Sequence, residues 1–214
     1  MKILLGTTNL AKIRRFTDLL SEYDAELITL YDLHIHGEPE ENGKTPVENA
    51  VQKASFYSKY CDSVLCEDSG LYFKNLPMDD PKQPGLHIRS PHGKRLEDEE
   101  MIAYYACLVR QMGGKQLAGY VDGIAVYHCG EMKTFLDDRE NEGFYLVDLV
   151  HPKRHPGWPL DSISVDRETG RYFVDEAPVQ EMVNDLVIQS SGYRQRLTEF
   201  LVGAFGLHKK ELSI

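Results

Sequence analysis

The first dozen residues constrain this chain most: an apolar run ending in glycine, a turn of hydroxyl and amide residues, then an amphipathic helix. Met1 to Gly6 reads as a short buried strand, and Asn9 to Tyr23 carries Leu10, Ile13, Phe16, Leu19 and Leu20 close to helical spacing. In the turn, Gly6-Thr7-Thr8-Asn9-Leu10-Ala11-Lys12 brings hydroxyls, backbone N–H groups and a helix N-terminus to one place, where an anion such as phosphate is stabilised. The G-x-x-x-x-G-K-[ST] pattern of a P-loop is absent. Alone, the segment is weak evidence for a phosphate cradle and reads first as a capped helix with a solvated lysine.

The rest of the chain alternates in the same way. Ala25 to Leu30 is expected as a strand, and His34 to Lys44 as a loop marked by Gly37, Pro39 and Gly43 and crowded with Glu38, Glu40 and Glu41. Thr45-Pro46-Val47-Glu48 opens a helix running to about Tyr60, with Thr45 as N-cap, Pro46 at the first helical position and Glu48 where a capping box needs it. Ser63 to Cys66 reads as a strand ending in Glu67-Asp68-Ser69-Gly70, and the proline-rich stretch from Asn75 to Lys94 as a long irregular excursion. Leu96 to Met112 has helical spacing and is stopped by Gly113-Gly114. Tyr120 to Cys129 and Phe144 to Val150 are expected strands, Gly170 a turn between Ser162 to Val165 and Arg171 to Val174, and Tyr193 to Phe205 a final helix.

With 214 residues and 42% hydrophobic content, the chain can bury a core as one domain or as two lobes sharing a cleft. Its apolar runs are only a few residues long and the N-terminus lacks the regions of a signal peptide, so no membrane association and a cytoplasmic location are expected. A formal net charge of -10 argues against a nucleic-acid partner, which requires a basic stripe. Cys61, Cys66, Cys107 and Cys129 form no C-x-x-C pair and are expected as reduced, mostly buried thiols.

Several residues carry candidate chemistry. Glu41 and Asp68 are the acids assigned to magnesium, a hard cation that takes oxygen ligands, with Asp68 or its neighbour also placed to orient or deprotonate a water; Glu40 and Glu67 are the adjacent acids that act as decoys. Lys53 lies four positions after Asn49 on one helical face and is either a phosphate ligand or a surface charge. Glu48 reads mainly as a cap. Arg89 is a further candidate cation. Gly157-Trp158-Pro159-Leu160-Asp161 joins the sole tryptophan to an acid, a combination able to stack on a purine and accept hydrogen bonds from its edge. His34, His36, His151 and His155 are set aside as metal ligands.

In order and spacing, Thr7 to Lys12, the Glu41 loop, Glu48-Asn49-Ala50 with Lys53, Glu67-Asp68-Ser69-Gly70-Leu71, and Gly157-Trp158 with Asp161 resemble the non-canonical purine nucleoside triphosphate pyrophosphatases, the inosine triphosphate pyrophosphatase family. The resemblance is strong from Met1 to Leu71, fair around Pro84 to Arg89 and Gly157 to Asp161, and poor beyond about Asp175. It implies an α/β fold with a long central mixed sheet flanked by helices, two lobes around a nucleotide cleft, a homodimer, and hydrolysis of a nucleoside triphosphate to the monophosphate and pyrophosphate with Mg2+. By position, it implies that Thr7, Thr8, Asn9, Lys12, Ser69 and Lys53 meet phosphates, that Glu41 and Asp68 hold magnesium, that Asp68 and Lys53 are catalytic, and that Trp158, Leu160 and Asp161 meet the base.

The chain also departs from the family. Leu160 stands where an aromatic residue usually precedes the aspartate, Pro159 replaces a customary glycine, and the Ser-His-Arg near the C-terminus is matched by Gly192-Tyr193-Arg194, which makes Tyr193 and Arg194 candidate substrate contacts. Groups of this kind discriminate a 6-oxo purine from adenine. Three functions therefore stay open: removal of deaminated purine triphosphates, nucleotide binding without turnover, and hydrolysis of another modified nucleotide.

Overall fold

The computed structural model describes residues 1–77, 79–136, 143–155, 158–175 and 191–210. Seven strands are β1 (Lys2–Leu5), β2 (Glu26–Thr29), β3 (Ser63–Phe73), β4 (Lys115–His128), β5 (Glu131–Leu136), β6 (Phe144–Val147) and β7 (Ser164–Val165). Four helices are described: α1 (Leu10–Leu19), α2 (Pro46–Tyr57), α3 (Asp98–Gln111) and α4 (Ser191–Phe205). The hydrogen-bonded order is β2-β1-β3-β4-β6-β7, with β5 on β4. β1 pairs in parallel with β2 and β3, whereas β4 pairs antiparallel with β5 and β6, and β6 with β7. The sheet is mixed and the class α/β, as the resemblance implied.

Contacts divide the chain into two compact units: Met1–Ser69, Asp122–Asp137 and Val187–Ile214 form the first, and Gly70–Val121 with Asp138–Leu186 the second. In the first unit, alternation along β1 and β3 sends successive side chains to opposite faces. Ile3, Leu5 and Leu65 pack with Phe16 of α1, with Leu20 just after it, and with Leu197, Leu201 and Phe205 from α4. Leu4, Val64 and Cys66 pack instead with Ala50, Ala54 and Tyr57 of α2. Helix α2 lies close to β4: a Cβ on Gly123 would come within 2.3 Å of the Pro46 and Val47 backbone, which excludes any larger residue there. The second unit has its own core, in which Met101, Ile102, Tyr105 and Val109 of α3 meet Phe73, Leu146, Leu160 and Ile163.

Local differences from expectation have physical causes. β3 does not end at Cys66 but runs through Glu67 and Asp68 to Phe73. Charge did not stop the strand because each acid is met by a cation from a flanking helix. β5 was not expected: it follows a hairpin turn in which Cys129 (φ 50°) and Gly130 (φ 90°) are both left-handed, with cysteine taking a position usually given to asparagine or aspartate. The expected second arm of the Gly170 turn is reduced to a single bridge, Val165 with Tyr172, before a short 3-10 turn at Phe173–Asp175. The excursion after β3 is ordered by Gln83, whose amide donates to the Phe73 and Leu76 carbonyls and accepts from the Phe73 N–H, and by a two-way bridge between Leu71 and Gly85. The thiols are not mostly buried: Cys66 is, Cys61 is partly covered, and Cys107 and Cys129 are exposed. Among the described residues, no helix is long and apolar enough to cross a membrane.

Candidate active site

Two groups of charged side chains in the first unit gather on the two faces of β3. Glu67 follows Leu65 by two residues and faces α1, while Asp68 follows Cys66 by two and faces α2, as strand alternation requires. On the α2 face, Lys53 Nζ lies 3.0 Å from Asp68 Oδ1 and 2.9 Å from Glu41 Oε2, and Asn49 Nδ2 donates to Asp68 Oδ2 at 2.9 Å. Asn49 and Lys53 thus share the helical face that their spacing predicted. Burial alone would lower the affinity of Lys53 for its proton, but Asp68 and Glu41 outweigh it and hold the ammonium above its ordinary range.

The Glu41 loop is fastened to the start of α2. Asn49 Oδ1 accepts from the Gly43 N–H at 2.8 Å, and Gln52 and Asn42 exchange two hydrogen bonds. Thr45 caps the helix by accepting from the Glu48 N–H at 3.2 Å. Glu48 closes the motif one residue earlier than a standard capping box, accepting from the Lys44 N–H at 2.6 Å. Its part is therefore to fix the loop that presents Glu41.

On the α1 face, Glu67 is 2% exposed and its Oε1 accepts from Arg15 Nη2. Arg15 Nη1 reaches Asp122 Oδ2 of β4 at 3.3 Å, and Tyr193 Oη of α4 donates to the same oxygen at 3.5 Å. Lys12 Nζ donates to Ser69 Oγ at 3.1 Å and lies 3.8 Å from Glu67 Oε2. Burial pushes the Glu67 carboxyl upward, against the opposing pull of Arg15 and Lys12. Arg15 and Asp122 were not singled out from sequence. The signals were present: Arg15 lies three residues after Lys12 on one helical face, and Asp122 interrupts the apolar stretch before Ile124.

The turn before α1 is built as a cap. Asn9 Oδ1 accepts from the Lys12 N–H at 3.4 Å, Thr7 Oγ1 accepts from the Asn9 N–H at 3.1 Å, and Thr8 is exposed. Gly6 is required where it stands, because a Cβ there would come within 2.3 Å of Cys66 Sγ and 2.7 Å of the Tyr57 ring. Arg194 is half-buried on α4.

The remaining candidates lie in the second unit. Trp158 is 36% exposed, whereas Leu160 is 4% exposed and packed in the core of that unit. Asp161 Oδ2 is 2.9 Å from Nδ1 of His155, a histidine that sequence reasoning had set aside. Burial raises the Asp161 carboxyl above its usual range, and His155 opposes the shift. Arg89 Nη1 pairs with Asp98 Oδ1 at 2.7 Å. Gly157, expected beside Trp158, lies outside the described residues.

A mixed α/β protein that draws two lysines, an arginine and four carboxylates to a few residues of one central strand is a protein organised around charge. The chain belongs to the Ham1 family, whose model matches residues 3–143. It is 29% identical over 209 residues to a dITP/XTP pyrophosphatase of Protochlamydia amoebophila, covering 94% of this chain and 98% of that one. A dITP/XTP pyrophosphatase of Bacillus anthracis is 28% identical over 148 residues, covering 68% and 71% of the two chains. Among solved structures, a HAM1 protein from Coxiella burnetii superposes with a TM-score of 0.72 at 20% identity, covering 95% of this chain and 100% of that one. The Staphylococcus aureus Ham1 protein gives 0.69 at 21% identity, covering 95% and 99%. At these identities the two structures speak for the fold.

Proposed function

We propose that this protein hydrolyses non-canonical purine nucleoside triphosphates, such as ITP, dITP and XTP, to the monophosphate and pyrophosphate. The observation that carries the reading is the convergence of Glu41 and Asp68 on one ammonium, Lys53, while Lys12 meets Ser69, the next residue along β3. Family membership and the names of the relatives support it.

In this reading Thr7, Thr8, Asn9, Lys12 and Ser69 receive the phosphates at the start of α1, where N–H groups and the helix dipole favour negative charge. Asp68 orients a water and takes its proton as the water oxygen bonds to the α-phosphorus, while the bond to the leaving pyrophosphate breaks. Lys53 aligns that carboxylate, and its ammonium offsets charge on the phosphates. Trp158, Leu160 and Asp161 are assigned to the base, Leu160 from within the core, and Arg89, Tyr193 and Arg194 to other parts of the nucleotide.

The donor set fits Mg2+. Two carboxylates already share one cation, and magnesium is commonly held by one or two carboxylates with phosphates and water completing its shell. Among the described residues no group of three or more His, Cys, Asp or Glu could hold a metal ion, so substrate oxygens would be needed to complete the site. Once bound by Glu41 and Asp68, the ion supplies charge neutralisation and polarisation of the bond being cut. A cytoplasmic homodimer completes the proposal.

A second reading has its own support. His155 occupies one oxygen of Asp161, and Leu160 is a core residue, so the base contacts offered differ from those the resemblance implies. Another modified nucleotide is the substrate if that difference decides specificity. Pyrophosphate release from ITP, XTP, dITP, ATP and GTP, with and without magnesium, tests both. Release from ITP, dITP or XTP with magnesium supports the first, activity elsewhere the second, and no release from any nucleotide overturns turnover.

A further inference from the structure

The cluster on the α1 face contains more charge than a fold needs. Lys12 and Arg15 supply two positive charges, Glu67 and Asp122 two negative ones, and three secondary-structure elements contribute them. Two polar atoms in it, Arg15 Nε and Glu67 Oε2, are buried without a hydrogen-bond partner among the described residues. Glu67 Oε2 is the carboxylate oxygen paired with Lys12, yet at 3.8 Å the lysine stays beyond hydrogen-bonding distance from it and donates instead to Ser69 Oγ at 3.1 Å and, weakly, to the Glu67 carbonyl oxygen at 3.5 Å. The other carboxylate oxygen is held by Arg15. A sealed carboxylate would otherwise draw the nearest ammonium onto itself, because an unpaired buried charge is costly.

We propose that Arg15 is a positioning residue for the phosphate-binding lysine: by neutralising Glu67 from within the fold it keeps Lys12 only loosely tethered, and Asp122, by sharing Arg15, limits that effect. The inference rests on the reading of Lys12 as a phosphate ligand. Its logic is competition for a single carboxylate. With Arg15 fully engaged on Glu67, the Lys12 ammonium turns from Ser69 to a phosphate at little cost. With Arg15 absent, Lys12 is the cation left to Glu67 among the described residues, and Glu67 holds it. Asp122 lies on the far side of the guanidinium, with Tyr193 donating to it, so it draws Arg15 away from Glu67.

The test is binding of inorganic tripolyphosphate in magnesium buffer, measured by calorimetry on the folded full chain, with pyrophosphate release from ITP followed in parallel. Arg15→Gln is expected to weaken tripolyphosphate binding about tenfold and raise KM for ITP similarly while changing kcat less than threefold. Adding Glu67→Gln to it should restore binding to within about twofold of the parent. Asp122→Asn, which leaves the buried pair intact and keeps the fold safe, should tighten binding by about threefold. If Arg15→Gln lowers only the melting temperature, or if Asp122→Asn weakens binding, the proposal is overturned. A parent protein that binds no tripolyphosphate also overturns it, whereas one that binds but releases no pyrophosphate overturns the proposed hydrolysis and leaves the positioning role supported by the variants.

Discussion

Two clusters, each with one cation bridging two carboxylates, sit back to back on β3. On the α2 side a single lysine bridges Glu41 and Asp68; on the α1 side a single arginine bridges Glu67 and Asp122. They differ in access. The Glu41 side chain is 42% exposed, while that of Glu67 is 1% exposed. Water reaches the first cluster, so its lysine can exchange partners with an incoming ion or phosphate at modest cost. In the second the Glu67 carboxylate is cut off from water, so removing Arg15 leaves a buried charge that water does not compensate. The chemistry of a charged triad is thus decided less by its residue types than by which face of the strand it occupies.

The comparison is sharpest when one member is removed from each side. On the open side, Asp68→Asn removes a charge without changing shape, and turnover is expected to fall by about 1000-fold, within the range for a lost general base. The melting temperature should stay near that of the parent. A rate near normal, by pyrophosphate release, takes Asp68 out of the mechanism. On the sealed side, Arg15→Gln should show a lower urea midpoint, with a loss of about 3 kcal/mol, the lower end for breaking a buried pair. An unchanged midpoint would mean that water reaches Glu67 and that the two sides do not differ as described.

Much of this arrangement was legible in the chain, and the limits follow from what periodicity encodes. The opening strand, turn and helix, the Thr45 cap, and the shared face of Asn49 and Lys53 are local relations, fixed within one turn of helix or one strand. Glu67 is a decoy beside Asp68 in sequence because adjacent acids look equivalent until strand alternation and the packing of α1 separate them. Asp122 was overlooked because its partner lies 107 residues away, and no local pattern reports such a contact. His155 was considered only as a metal ligand and set aside, but a histidine six residues before Asp161 can also be its hydrogen-bond partner across a turn.

The metal reading gives a smaller effect on the open side. Glu41 is the more exposed of the two carboxylates and holds Lys53 from a loop. Glu41→Gln keeps the loop's length and polarity while removing one negative charge. The magnesium concentration for half-maximal rate is expected to rise about tenfold, with a rate at saturating magnesium closer to the parent's than that of Asp68→Asn. If the magnesium dependence is unchanged, Glu41 serves Lys53 alone and the open cluster is as fixed as the sealed one.

The mildest probe is chemical and leaves the sequence intact. Cys66 directly precedes Glu67 on β3, and burial pushes its thiol up to about 12. At pH 8 a thiol with that value is ionised in roughly one molecule in ten thousand, and the thiolate is the form that reacts. Titration of the native protein with a thiol reagent should therefore consume Cys107 and Cys129 quickly, Cys61 more slowly and Cys66 last, only as the protein unfolds. Raising the pH toward 12 should speed the reaction of Cys66 if its protection comes from the proton, and leave it slow if it comes from exclusion of the reagent. Fast labelling of Cys66 at pH 8 would show that β3 opens beside Glu67 in the native state, and a sealed carboxylate one residue away could not survive that result.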